Sequence, residues 1–175
     1  MYVLYYKFKK IINLLIHCPI SIFSQYKIQI DSYNCGPIAI HNALLANNKK
    51  SNFKHLIKEC NTNSYRGTSI KNMDLVIRKK FKKVTFGAYN NTTGINIDAI
   101  LEHLNNNGII IVRYMFEFGL TGHYALLIDN KITIINPIDG KLFETWSVTR
   151  IIETMKFAPE NKYPPCFWLI GDTND

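Results

Sequence analysis

Over the first 105 residues the apolar positions recur mostly at helical spacing. Beyond that point they fuse into continuous runs of β-branched residues. From Cys35 to Ala46, the apolar residues Ile38, Ala39, Ala43, Leu44 and Leu45 predict a helix that ends at Asn47-Asn48-Lys49-Lys50, with Pro37 in its first turn. Phe53, Leu56, Ile57 and Cys60 predict a short second helix. Arg66-Gly67-Thr68-Ser69 reads as a loop with a capping hydroxyl, leading into a third helix marked by Ile70, Met73, Val76, Ile77 and Phe81. Val84 to Tyr89 reads as a strand. Asn90 to Gly94 breaks the chain, and Ile97, Ile100, Leu101 and Leu104 form another amphipathic helix that Gly108 stops. Ile109 to Tyr114, His123 to Asp129 and Ile132 to Asn136 then read as strands, the latter two paired as a hairpin across Asp129-Asn130-Lys131. A last helix near Trp146 to Met155 and a closing strand at Cys166 to Ile170 complete the pattern. Helices early and strands late predict an α+β domain with two unlike lobes and no internal repeat.

Composition narrows this without redirecting it. With 175 residues, 47% hydrophobic and 19% charged, the chain is globular and long enough to bury one core. Cys18, Cys35, Cys60 and Cys166 are irregularly spaced, so neither a zinc site nor a disulfide framework is expected, and a reducing, cytoplasmic setting with no cofactor or metal is the simplest reading. The net charge is +8, densest at Arg78-Lys79-Lys80-Phe81-Lys82-Lys83. That run permits nucleic-acid binding, yet it equally suits the end of a helix, where cations complement the dipole. Near the start, Lys7, Lys9 and Lys10 precede the apolar run Ile11 to Phe23, as in a targeting segment. Asn13, His17 and Pro19 interrupt that run, which is too short and polar to span a bilayer, so residues 1–28 are expected to be a structural strand and helix leading into a domain at 29–175.

The chemistry concentrates at Cys35-Gly36-Pro37. A thiol opening a helix sits near converging backbone N–H groups, and its pKa is expected to fall toward neutrality. To attack an acyl carbon it needs a base. Of the five histidines, His41 lies on the same helix pointing away, His17 is in the doubtful N-terminal segment, and His55 and His103 are expected on solvent-side helix faces. His123 enters a buried strand directly after Gly122, where a polar ring needs a partner. The order cysteine, histidine, then Asn136-Pro137 is that of papain-like cysteine hydrolases.

With these residues in view, Gln29 to Leu45 resembles the active-site segment of the bacteriocin-processing, double-glycine leader peptidases and their stand-alone relatives, a branch of the papain-like superfamily. A glutamine lies six positions before a Cys-Gly that opens a helix, as Gln29 and Cys35-Gly36 do. Gly67-Thr68-Ser69 resembles the small-residue loop of that family, and Gly122-His123-Tyr124 followed by Asn136-Pro137 and Gly140 resembles its histidine strand and hairpin. The chain departs from the pattern at Asn136 and Asn34, where the family usually has aspartate. The membrane and ATPase domains that accompany the leader peptidases proper are not expected within these 175 residues.

The resemblance implies a papain-like peptidase fold with an N-terminal helical lobe and a C-terminal antiparallel sheet, and a peptide or protein substrate. Taken with the chemistry, it makes Cys35 the nucleophile, His123 the base and Asn136 the residue orienting the imidazole, with Asp139 as the alternative third member. Gln29 and the Cys35 N–H are then expected to form the oxyanion hole. Gly122 and Phe118 are expected to touch substrate, within a rim at Phe116 to Thr121. The same triad also permits acyl transfer or glutamine deamidation, and a silent basic binding module is the alternative outside enzymology.

Overall fold

The structure is a computed structural model that describes residues 26–90, 92–116, 121–137, 140–156 and 164–171. The expected α+β layout is present. Three helices come first, α1 (Cys35–Ala46), α2 (Phe53–Glu59) and α3 (Ile70–Lys80). β1 (Val84–Ala88) and α4 (Ile97–Asn105) lead into β2 (Ile109–Phe116), β3 (Thr121–Ile128), β4 (Thr133–Ile135) and β5 (Phe143–Thr145). α5 (Val148–Thr154) and β6 (Cys166–Ile170) follow. The strands form one antiparallel sheet in the order β1-β6-β2-β3-β4-β5. β5 is the one strand that the periodicity does not announce, because three residues at a sheet edge carry no repeat.

Alternation along the strands gives the sheet two apolar faces. Ile111, Leu126, Ile135 and Trp168 pack against α1, α2 and α3. Val112, Tyr114, Ala125 and Leu127 point to the opposite face, with Ile100 and Leu104 of α4 and Ile151 of α5. Helix α1 is buried almost all round, including its polar residues His41 and Asn42, so each of these needs an internal partner. His41 Nδ1 meets Ser51 Oγ at 2.8 Å. Asn42 grips the backbone of Lys27 at both groups, accepting its N–H at 2.8 Å and donating to its carbonyl at 3.0 Å. That clamp holds the segment carrying Gln29 against α1.

His103 differs from expectation. It is half-buried, and its Nε2 lies 3.2 Å from the carbonyl of Ile109 and 3.0 Å from that of Ile170, so it joins α4 to the sheet rather than facing solvent. The basic run does end a helix. Arg78 pairs with Asp74, while Lys79 and Lys80 both pair with Glu59 of α2. Among the described residues no helix is long and apolar enough to cross a membrane.

The Glu59 cluster ties α2 to α3, the two helices that flank the loop 61–69. Burial pushes the Glu59 carboxyl up, but Lys79 and Lys80 outweigh it and hold it at about 2. A folded-state pKa below the ordinary value means stability that is present above the ordinary value and lost as pH falls toward 2. Urea titrations at neutral pH and near pH 3 are therefore expected to show a larger acid loss for the parent than for Glu59→Gln. Equal losses would remove Glu59 from the acid response.

Candidate active site

The site is built where β3 outruns β4. β4 pairs only with Leu126, Leu127 and Ile128, which leaves the first half of β3 open along that edge. The start of α1 docks there. Cys35 is 8% exposed, and the backbone N–H of Tyr124 lies close enough to its sulfur to oppose the effect of burial on the thiol. Gly36 permits this docking, since a Cβ at that position would lie 2.8 Å from Thr68 Oγ1 and 2.9 Å from Met73 Sδ. The turn before the helix is fastened by Asp31. Its carboxylate accepts from the N–H groups of Tyr33 (3.0 Å) and Asn34 (2.8 Å) and from the Asn34 side chain (2.7 Å). Burial pushes Asp31 up, but these hydrogen bonds outweigh it and leave its pKa lowered.

The thiol does not follow the sequence expectation. Burial pushes the Cys35 pKa above its ordinary 9.0, and the opposing N–H groups of Tyr124, Gly36 and Cys35 and the guanidinium of Arg113 do not overcome it. Removal of the sulfur from water outweighs the helix-start dipoles. His123 is 3% exposed, and its burial lowers its pKa despite a hydrogen bond to Asn136. At neutral pH the resting pair is thus a neutral thiol and a neutral imidazole.

His123 stacks edge-on to Tyr114, and its Nε2 meets the main-chain carbonyl of Asn136 at 2.8 Å. A carbonyl only accepts, so Nε2 carries the ring proton and Nδ1 keeps the lone pair. Asn136 is buried and left-handed, at φ 61°, a conformation asparagine tolerates better than most residues. Its side-chain oxygen does not face the imidazole; it accepts the backbone N–H of Gln29 at 2.8 Å. Gln29, Asn136 and His123 therefore form one connected set, across 107 residues of chain between the first two. Within that set the Gln29 Oε1 and Asn136 Nδ2 atoms are buried without hydrogen-bond partners, a feature that recurs at sites awaiting a ligand. Cys35 lies beside Tyr124, the neighbour of His123, outside this set of hydrogen bonds. Asp139 and Phe118 lie outside the described residues.

A cleft of about 690 Å³ opens beside Cys35. Gly122 lines it, with Tyr124, Arg113 and the polar loop from Asn61 to Ser69. The described wall is thus this loop, whereas residues 117–120 of the expected rim are outside the described set. Sequence reasoning passed over Arg113 and Asn42. Arg113 had a signal, a lone charge within Ile109 to Met115 that a buried strand must explain. Burial likewise pushes the thiols of Cys60 and Cys166 up, to about 12.

No family model and no curated protein sequence matches the chain. Among solved structures, the fold is similar to that of a double-glycine motif protease from an AMS/PCAT transporter, determined in complex with the leader peptide. The TM-score is 0.56 at 15% sequence identity, and the match covers 83% of this chain and 90% of that one. The likeness establishes a papain-like peptidase fold.

Proposed function

We propose that this protein is a cysteine hydrolase that cleaves a peptide or isopeptide bond through an acyl-enzyme on Cys35. What supports the reading is that the helix-start thiol of Cys35 lies beside the N–H of Tyr124 on the open half of β3, next in the chain to a buried histidine whose tautomer the Asn136 carbonyl fixes. Because both partners rest neutral, His123 acts as a general base. Nδ1 takes the thiol proton as sulfur attacks the carbonyl carbon, then delivers it to the departing amine, and water releases the acyl group. No hydrogen bond joins Cys35 to His123 in this structure; such contacts commonly tighten once substrate binds. Gln29 and the Cys35 N–H are the oxyanion donors in this reading. The papain-like fold supports peptidase chemistry in general.

Treatment with a peptidyl fluoromethyl ketone, followed by intact mass and peptide mapping, tests the reading. A single adduct on Cys35 is expected, formed faster as pH rises from about 6 to about 9, because the thiol starts protonated. An adduct on Cys60 or Cys166 with Cys35 spared would overturn the assignment. A rate flat across that range would instead indicate a preformed thiolate. In the same assay Gln29→Ala is expected to slow inactivation by roughly 10²-fold while the protein stays folded. The Gln29 contact to Asn136 runs through its main chain and survives the substitution. An unchanged rate would remove Gln29 from the oxyanion hole.

A further inference from the structure

We propose that Asn136 is a positioning residue for two groups at once, its main-chain carbonyl holding the His123 imidazole and its side chain holding the segment that carries Gln29. The side chain thereby serves the oxyanion donor and not the base. The inference rests on the hydrolase reading, with Cys35 as nucleophile and Gln29 as donor, and adds what keeps that donor in place.

Asn136 directly follows β4 and commits three of its four polar groups, each to a different stretch of chain. Its N–H donates to the Leu142 carbonyl at 2.8 Å. Its carbonyl accepts from His123 Nε2 at 2.8 Å, and its Oδ1 accepts the Gln29 N–H at 2.8 Å. The residue is 1% exposed, so water does not compete for these groups. The fourth group, Nδ2, is buried without a partner among the described residues. A buried orphan donor is a cost that an apolar side chain of similar size would avoid, so the amide at this position is explained by what its oxygen does.

The Gln29 segment needs such a tie. Ile28 and Ile30 on either side are 37% and 96% exposed, so burial of the neighbours does not hold it. Hydrogen bonds do. Asn42 grips Lys27 on one side, and the Asp31 carboxylate fastens the turn at Tyr33 and Asn34 on the other. Between these fastenings, the tie to Asn136 is made by the main chain of Gln29 itself. An oxyanion donor has to be in place before charge develops, since moving it at that moment would cancel its worth. His123 has no need of the Asn136 side chain. The carbonyl sets its tautomer, and the edge-on ring of Tyr114 packs against it. A carbonyl is present whatever residue stands at position 136, which leaves the side chain for the other task.

Two reagents separate the two tasks. With iodoacetamide the Cys35 sulfur bonds the methylene carbon, iodide leaves and no charge gathers on oxygen, so the rate reports the thiol and its base. With 4-nitrophenyl acetate the sulfur bonds the acyl carbon, and the carbonyl oxygen carries negative charge until 4-nitrophenolate departs and a thioester remains. The thiol proton passes to His123 in both. Each rate is measured at Cys35 by peptide mapping, with Cys35→Ala as background. The ratio of acylation to alkylation is expected to fall roughly tenfold in Asn136→Gly, which keeps the left-handed backbone and the carbonyl. Asn136→Asp still offers the Gln29 N–H an acceptor and should retain most of the parent ratio. In a Gln29→Ala background, Asn136→Gly should lower the ratio no further. A ratio unchanged in Asn136→Gly, or lowered as much in Asn136→Asp, would overturn the proposal while leaving Cys35 as nucleophile. Amide exchange in the parent decides independently of any variant. The Gln29 N–H is expected to exchange about tenfold or more slower than those of Ile28 and Ile30. Equal exchange at the three positions would overturn the proposal even if Asn136→Gly does not fold. Failure of both reagents to modify Cys35 in the parent would overturn the hydrolase reading itself.

Discussion

His123→Ala is expected to slow labelling of Cys35 by a peptidyl fluoromethyl ketone about 10²- to 10⁴-fold at neutral pH. The size follows from the state of the thiol. Burial holds Cys35 protonated, so without a base close by the reactive thiolate becomes scarce. The deficit should narrow as pH rises, because hydroxide then does what the imidazole no longer can. His123→Gln provides the structural control, since its side-chain amide can still donate to the Asn136 carbonyl and fill the space beside Tyr114. A variant that keeps the parent rate at neutral pH would mean that His123 is only a core residue with a satisfied ring.

Trp168→Ala carries the largest expected effect on stability, a loss of about 3–5 kcal/mol. Trp168 is fully buried on β6, with ring contacts to Phe86 at 5.3 Å and Tyr124 at 6.2 Å. Its indole N–H donates to Asp74 Oδ1 of α3 at 3.0 Å, so the substitution opens a cavity and releases a tie between sheet and helix. Trp168→Phe keeps most of the packing and should cost nearer 1 kcal/mol, the worth of the hydrogen bond. Urea unfolding of both variants checks the ordering. A loss for alanine no larger than for phenylalanine would show that the ring packing contributes little.

Much of the fold was legible because its elements repeat at helical spacing or run as apolar strands. Cys35 to Ala46 and Cys166 to Ile170 match the structure at both ends. The edge strand β5 was not legible, and neither was the inward attachment of His103, since a half-buried helix position looks the same whether its ring meets water or a carbonyl. At the site, Cys35 and His123 announce themselves by local context. Their fastenings do not. The Tyr124 N–H, the Asn136 carbonyl and the Gln29 N–H are main-chain groups that every such residue has, so no residue type marks them. The thiol pKa was misjudged for a related reason. Helix-start dipoles can be read from sequence position, whereas the depth of burial that outweighs them depends on how the whole domain closes.

The sheet order has a consequence for the birth of the protein. β6 is the last strand described, yet it lies between β1 and β2 and supplies Trp168 to the core beneath α1. A ribosome releases α1, which carries Cys35, more than a hundred residues before that strand. Until β6 arrives, β1 and β2 have no common neighbour and the floor under Cys35 is unfinished. A nascent chain therefore carries the Cys35 thiol before the sheet beneath it has closed, and in the hydrolase reading proposed above any activity waits for β6.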